Sequence, residues 1–95
     1  MLYSLLRVPE VTAAAAVSRS TLYALVAKGL WPAPVKLGMR SVGWPEGEVE
    51  TLNRARIAGL RDDDIRQLVV HLEAERQANA PRIDEPELAA AGGRG

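Results

Sequence analysis

The chain has no cysteine, no phenylalanine and a single histidine, His71. Without cysteine it carries neither a disulfide framework nor a thiolate zinc site, and one histidine with no partner at metal spacing supports no metal centre. Also missing is any apolar run of roughly 18 residues, so no membrane span is expected and no membrane partner. No basic segment leading into an apolar one opens the chain, which leaves nothing to mark it for export. Together with the lack of cysteine this points to the cytoplasm. A chain of 95 residues builds only a small core. With no disulfide or metal to lean on, self-association is the remaining support, and a homodimer is expected.

Acidic residues are missing from one long window. The formal net charge is zero, a balance that ordinarily argues against nucleic acid, but the two signs are separated along the chain. Residues 1–61 carry eight basic and four acidic side chains and residues 62–95 four basic and eight acidic, giving +4 and −4. Between Glu10 and Glu46 there is no acid at all, while Arg19, Lys28, Lys36 and Arg40 are spread through that window. A polyanion would be met there.

Ser-Leu-Leu-Arg-Val at residues 4–8 reads as a short strand or a buried lead-in. Pro9 suits a first helical position, where its missing amide hydrogen is no loss. A helix is expected over Pro9–Ala16, with an alanine run that lets another helix approach closely. Ser18 or Ser20 then accepts from the free amides that open a second helix, in which Leu22, Leu25 and Val26 form the buried stripe and Gly29 marks the end. Val35–Leu37 and Arg40–Trp44 read as a small hairpin around a two-residue turn at Gly38-Met39. Pro45 and Glu46 open a third helix carrying Val49, Leu52, Ala55 and Ile57 and stopped by Gly59. Asp62, Asp63 and Asp64 open a fourth, where negative charge complements the helix dipole, with Ile65, Leu68, Val69 and Leu72 as its stripe. Val70 lies off that stripe and adds apolar surface suited to a second copy. From Asn79 onward, two prolines, three glycines and no periodicity predict a disordered tail over 79–95.

The order of these elements is that of a mainly α protein with a small β-hairpin, a winged helix-turn-helix plus a C-terminal helix. The expected division is a DNA-binding domain over 1–60, a dimerising helix over 61–78 and the tail. A first turn of Ser18, Arg19, Ser20 and Thr21 offers hydroxyls and a guanidinium at a helix N-terminus, the end that enters a major groove and attracts phosphate. Ala24 and Ala27 keep the exposed face slim, so that Arg19 or Lys28 can reach guanine or the backbone.

Four segments follow one another in a telling order: Leu-Leu-Arg-Val-Pro-Glu-Val from Leu5, Ser-Arg-Ser-Thr-Leu-Tyr from Ser18, Pro-Ala-Pro-Val-Lys-Leu-Gly from Pro32, and Arg40 through Trp44 to Glu48-Val49. From about Leu5 to Arg56 the chain resembles the AlpA-type phage regulators, a branch of the MerR-like and excisionase-like winged helices. The resemblance implies a DNA-binding regulator in which Ser18, Arg19, Ser20, Thr21 and Tyr23 belong to the recognition helix and Lys36, Arg40 and Ser41 to the wing. Two positions depart from the pattern. Ala16 stands where such regulators usually have glycine between the first two helices, and Ala24 where relatives are often basic. The first bears on the turn geometry, the second on phosphate contact or base preference.

Each of these residues also has a plainer reading. Arg19 is a solvated charge at a helix start, Lys28 a cation favoured by the dipole of a last turn, and Lys36 and Arg40 guards of an edge strand. DNA contact is expected for Arg19 and Arg40 because their window lacks acids. Trp31 and Trp44 bracket the hairpin and are expected to pack it onto the helices, and the Tyr23 ring is expected half-buried with its hydroxyl free to reach a phosphate. The three consecutive aspartates point three ways on a helix, which suits capping and not metal binding. With no nucleophile pair, phosphate loop or cofactor motif, neither catalysis nor a cofactor is expected.

The sequence therefore predicts a sequence-specific transcriptional regulator of a prophage or mobile element that binds double-stranded DNA, with RNA polymerase or a recombinase as a further partner. Two rivals stand beside it. An excisionase or phage packaging subunit would use the same fold to bend DNA for an enzyme. A protein-interaction adaptor would use it only as a scaffold.

Overall fold

In the computed structural model, which describes residues 3–82, local signals set where most elements begin and end. β1 (Leu5–Leu6) leads into α1 (Val8–Ala15), which has Pro9 in its first turn and Arg7 as N-cap residue. The Arg7 amide donates to Glu10 Oε1 at 2.9 Å, half of a capping box. α1 ends at Ala16, whose backbone is left-handed (φ 57°, ψ 43°), and the Val17 amide donates back to Thr12 O at 3.1 Å. That closure is the one glycine ordinarily makes. α2 (Arg19–Ala27) opens at Ser18, whose Oγ accepts from the Thr21 amide at 3.1 Å. Gly29, at φ 74°, turns the chain out of the helix.

The expected hairpin is present, and of the two readings of the lead-in the strand holds, so the sheet has three strands. β2 (Val35–Lys36) and β3 (Val42–Pro45) run antiparallel with Val35 opposite Gly43 and Lys36 opposite Val42. β1 pairs with the other side of β3, Leu5 opposite Pro45 and Leu6 opposite Trp44, so that β3 is central. The turn differs from expectation. The Leu37 amide donates to Ser41 O at 2.8 Å, enclosing Gly38, Met39 and Arg40 in a longer loop, and Gly38 does not take the positive φ that a Gly-first two-residue turn needs. Just past the loop, β3 is closely approached: a Cβ on Gly43 would lie 2.9 Å from Leu6 O and 2.8 Å from Leu37 Cδ1. The Leu37 side chain can give way, but the Leu6 carbonyl is backbone, so glycine is what lets β1 close on that strand.

α3 (Glu46–Ile57) and α4 (Asp62–Ala78) complete the fold. One continuous core joins Val11 and Ala15 of α1, Leu22 of α2, Trp31 after it, Trp44 of β3, Val49 and Leu52 of α3, and Ile65 and Val69 of α4. Fully burying one such aliphatic side chain contributes about 2 kcal/mol. Trp31 and Trp44 are the largest buried side chains. Trp44 Nε1 donates to Pro32 O at 2.7 Å, which ties β3 to the lead-in of β2, whereas Trp31 Nε1 is buried with no partner among the described residues. Leu25, Val26, Leu68 and Leu72 are half-buried against this core. Ile57, expected on the inner face of α3, is 86% exposed: five residues past buried Leu52, at about 100° per residue, it lies roughly 140° round the helix from that side chain. Val70 faces outward, as its position off the stripe implies.

Glu48 is a buried charge, 8% exposed, in the first turn of α3. Arg76 near the end of α4 answers it with two bonds, Nε to Oε2 at 2.8 Å and Nη2 to Oε1 at 2.6 Å. Paired charge-assisted bonds of this kind are the strong ones. The carboxylate holds the Arg76 guanidinium above its ordinary pKa, chiefly through the hydrogen bond. Among the described residues no helix is long and apolar enough to cross a membrane. The predicted tail lies outside the described residues from residue 83 on.

Candidate nucleic-acid interface

The N-terminal turn of α2 gathers most of the residues singled out from sequence. Ser18 Oγ, already accepting from the Thr21 amide, donates to Thr21 Oγ1 at 2.9 Å and lies 3.4 Å from Ser20 Oγ. Three exposed hydroxyls thus cluster around a helix start, where free amides and the helix dipole favour an anion. Arg19 is exposed and its guanidinium lies 5.5 Å from the centre of the Tyr23 ring. Tyr23 in turn meets Trp44 edge to face, with ring centres 6.3 Å apart and planes at 64°. A chain of contacts therefore runs from Arg19 through Tyr23 into β3, coupling the helix to the wing.

The outward face of α2 is slim. Ser20, Ala24 and Ala27 are exposed while Leu22 is fully buried, so the helix packs with its large residues and presents its small ones. Lys28 is exposed at the far end of α2, nine residues from Arg19, a span of about 13 Å along the helix. It does not join the hydroxyl cluster. In the wing, Lys36 on β2 and Arg40 in the loop are both exposed, and Met39 beside Arg40 is 94% exposed at the tip.

Ser41 is held by a residue that sequence reasoning missed. Arg7 Nη2 donates to Ser41 Oγ at 3.2 Å, so the N-cap residue of α1 reaches across to the wing loop. The two are 34 positions apart, and no local pattern could have paired them. Asn53 and Arg56 of α3 make similar unforeseen contacts: Asn53 Nδ2 donates to Ala14 O and Arg56 Nη1 to Ala15 O, each at 2.9 Å. They satisfy carbonyls at the end of α1 and hold the turn before α2 in place. Behind α2 a groove of about 380 Å³ is lined by Thr21, Leu25, Trp31, Arg56, Asp62 and others. Among the described residues no three His, Asp or Glu side chains form a group able to hold a metal ion.

Comparison with known proteins bears on the same segment. Residues 4–57, which run from before β1 to the end of α3, match the family described as Prophage CP4-57 regulatory protein (AlpA). Over 54 residues, 57% of the chain, it is 48% identical to the uncharacterized protein ORF88 of Enterobacteria phage P4. The matched part spans 61% of that relative's length. No solved structure matches the chain. With a matched segment that takes in both helices of the turn, the wing and α3, the chain belongs to the AlpA family of prophage regulatory proteins.

Proposed function

We propose that the protein is a sequence-reading DNA-binding regulator of a prophage or other mobile element, with α2 in the major groove and the β2–β3 loop as a wing on the backbone. The observation that carries this reading is the set of cations on those two elements. Arg19, Lys28, Lys36 and Arg40 are all exposed, and none is paired with a carboxylate among the described residues. Ser18, Ser20 and Thr21 add hydroxyls for phosphate at the helix start, with Tyr23 behind them and Ser41 beside the wing cation. Ala24 and Ala27 let α2 approach base edges closely.

The mechanism is binding without chemistry, in the cytoplasm where the operator is. One module of this size covers a single half-site, so the reading includes a homodimer on half-sites one helical turn apart. RNA polymerase or a recombinase is the partner class that a protein so placed would recruit. The test is a titration with random genomic duplex fragments at two or more salt concentrations, with the retained fragments sequenced. One related site should be enriched, and log affinity should fall with log salt with a slope of roughly −3 to −4 per protomer, since four cations each displace a counterion. A slope near zero sinks the DNA reading in favour of the adaptor.

A further inference from the structure

Lys28 to Pro34 joins α2 to β2 and contains Gly29, Pro32 and Pro34. The amides of Lys28, Gly29 and Leu30 bond back to α2, and past Leu30 the two prolines leave the stretch short of backbone bonds. Side chains supply them. Lys28 O accepts from Arg66 Nε at 2.9 Å, the Ala33 amide donates to Glu73 Oε2 at 2.8 Å, and Ala33 O accepts from Arg76 Nη2 at 2.8 Å. All three side chains come from α4, and their positions place them along one side of that helix. Arg66 also lies along Gly29, its Cγ 3.8 Å from where a Cβ would be. At the other end Arg76 is fixed on α3 by Glu48, and α4 itself is seated in the core by Ile65 and Val69.

We propose that α4 is a strap that fixes the angle between the recognition helix and the wing, with Arg66, Glu73 and Arg76 as positioning residues for base reading. The proposal rests on the DNA reading above. α4 lies beyond the segment that matches the family, which ends at residue 57. The bonds of Arg66 and Glu73 are at exposed groups, where single ion-assisted contacts add little to stability. Their effect falls instead on geometry. Base reading needs its groups held to within about 0.5 Å, and two arms joined by an irregular linker reach that only if the linker is fixed.

The test compares Glu73→Ala with Glu73→Gln. Both remove the same charge, but the glutamine amide oxygen can still accept from the Ala33 amide, so the difference between them reports the bond. Two quantities are measured: hydrogen exchange at the Ala33 amide, and the ratio of affinities for a duplex selected from genomic fragments and a scrambled duplex. Glu73→Ala should speed exchange at Ala33 and lower that ratio about tenfold, the scale of one lost base contact, and Glu73→Gln should largely restore both. The salt slope should be the same in the two variants, since neither touches a phosphate-binding cation. Equal ratios in the two variants, or a lowered melting temperature with the ratio intact, overturns the strap. Arg66→Met, which frees Lys28 O, gives the same reading should Glu73→Ala not fold. Were the wild-type protein to show no salt-dependent DNA affinity, the DNA reading would fall by itself. Exchange at Ala33 would then decide the strap: protection in the wild type that is lost in Glu73→Ala supports it, and an unprotected wild-type amide overturns it.

Discussion

Ala16 bears a cost that its neighbours make unavoidable. The chain must reverse between Val11 and Leu22, both fully buried, and it does so through a left-handed alanine. For an L-residue that conformation costs roughly 1–2 kcal/mol, which glycine escapes. Ala16→Gly should therefore raise stability by about 1 kcal/mol after the extra freedom of the unfolded chain is counted, or a rise of a few degrees in thermal melting. A drop in melting temperature would show that the turn is held another way. Residues whose role depends on neighbours within one turn were legible from the sequence. Ser18 caps α2 and Gly29 ends it as local chemistry dictates. Arg7 was not legible, because its meaning lies in a contact with Ser41 across the fold.

Among the elements, the wing shows how sequence and structure part. Val35 to Trp44 carries the alternation of a hairpin, and a hairpin forms, but its loop is longer than Gly38-Met39 suggested. β3 is the central strand, pinned by Leu6 opposite Trp44 and by the indole bond to Pro32, so its register is chosen by partners on both sides and the loop takes up what remains. A two-residue β1 carries too little pattern to be read with certainty. The helices were legible because their stripes repeat over several turns, with the exception of Ile57, which lies off the buried Val49–Leu52 face of α3. Arg40 sits in the loop with no partner among the described residues. Arg40→Ala should shallow the salt slope of DNA binding by about 1 and shift stability by no more than about 0.5 kcal/mol. An unchanged slope would take the loop off the DNA.

For the whole molecule, the segment shared with the family and the helix beyond it share one core. Ile65 and Val69 complete the core, and the Glu48–Arg76 pair bridges the two parts over 28 positions. Such pairing is invisible in the sequence, where Glu48 looks like any acid in a first helical turn. Glu48→Ala leaves a half-buried guanidinium without its carboxylate and should destabilise the fold by about 3 kcal/mol, with helix signal and tryptophan emission still melting together. Separate transitions would mean that α4 folds apart from the rest. The division of charge, by contrast, was plain from the outset: the basic elements are α2 and the wing, while the acids gather toward α4.

The slim outer face of α2 has a consequence for how such a protein changes over time. Ala24 and Ala27 touch solvent and not the core, so larger side chains can be introduced there without repacking Leu22 or moving the wing. If α2 reads DNA as proposed, its packing residues and its base-facing residues lie on opposite sides of one short helix, so a single substitution at Ala24 or Ala27 would change the sequence preferred and leave the fold in place. On that proposal, two alanines leave the face nearly blank, and a different operator would need only a different side chain there.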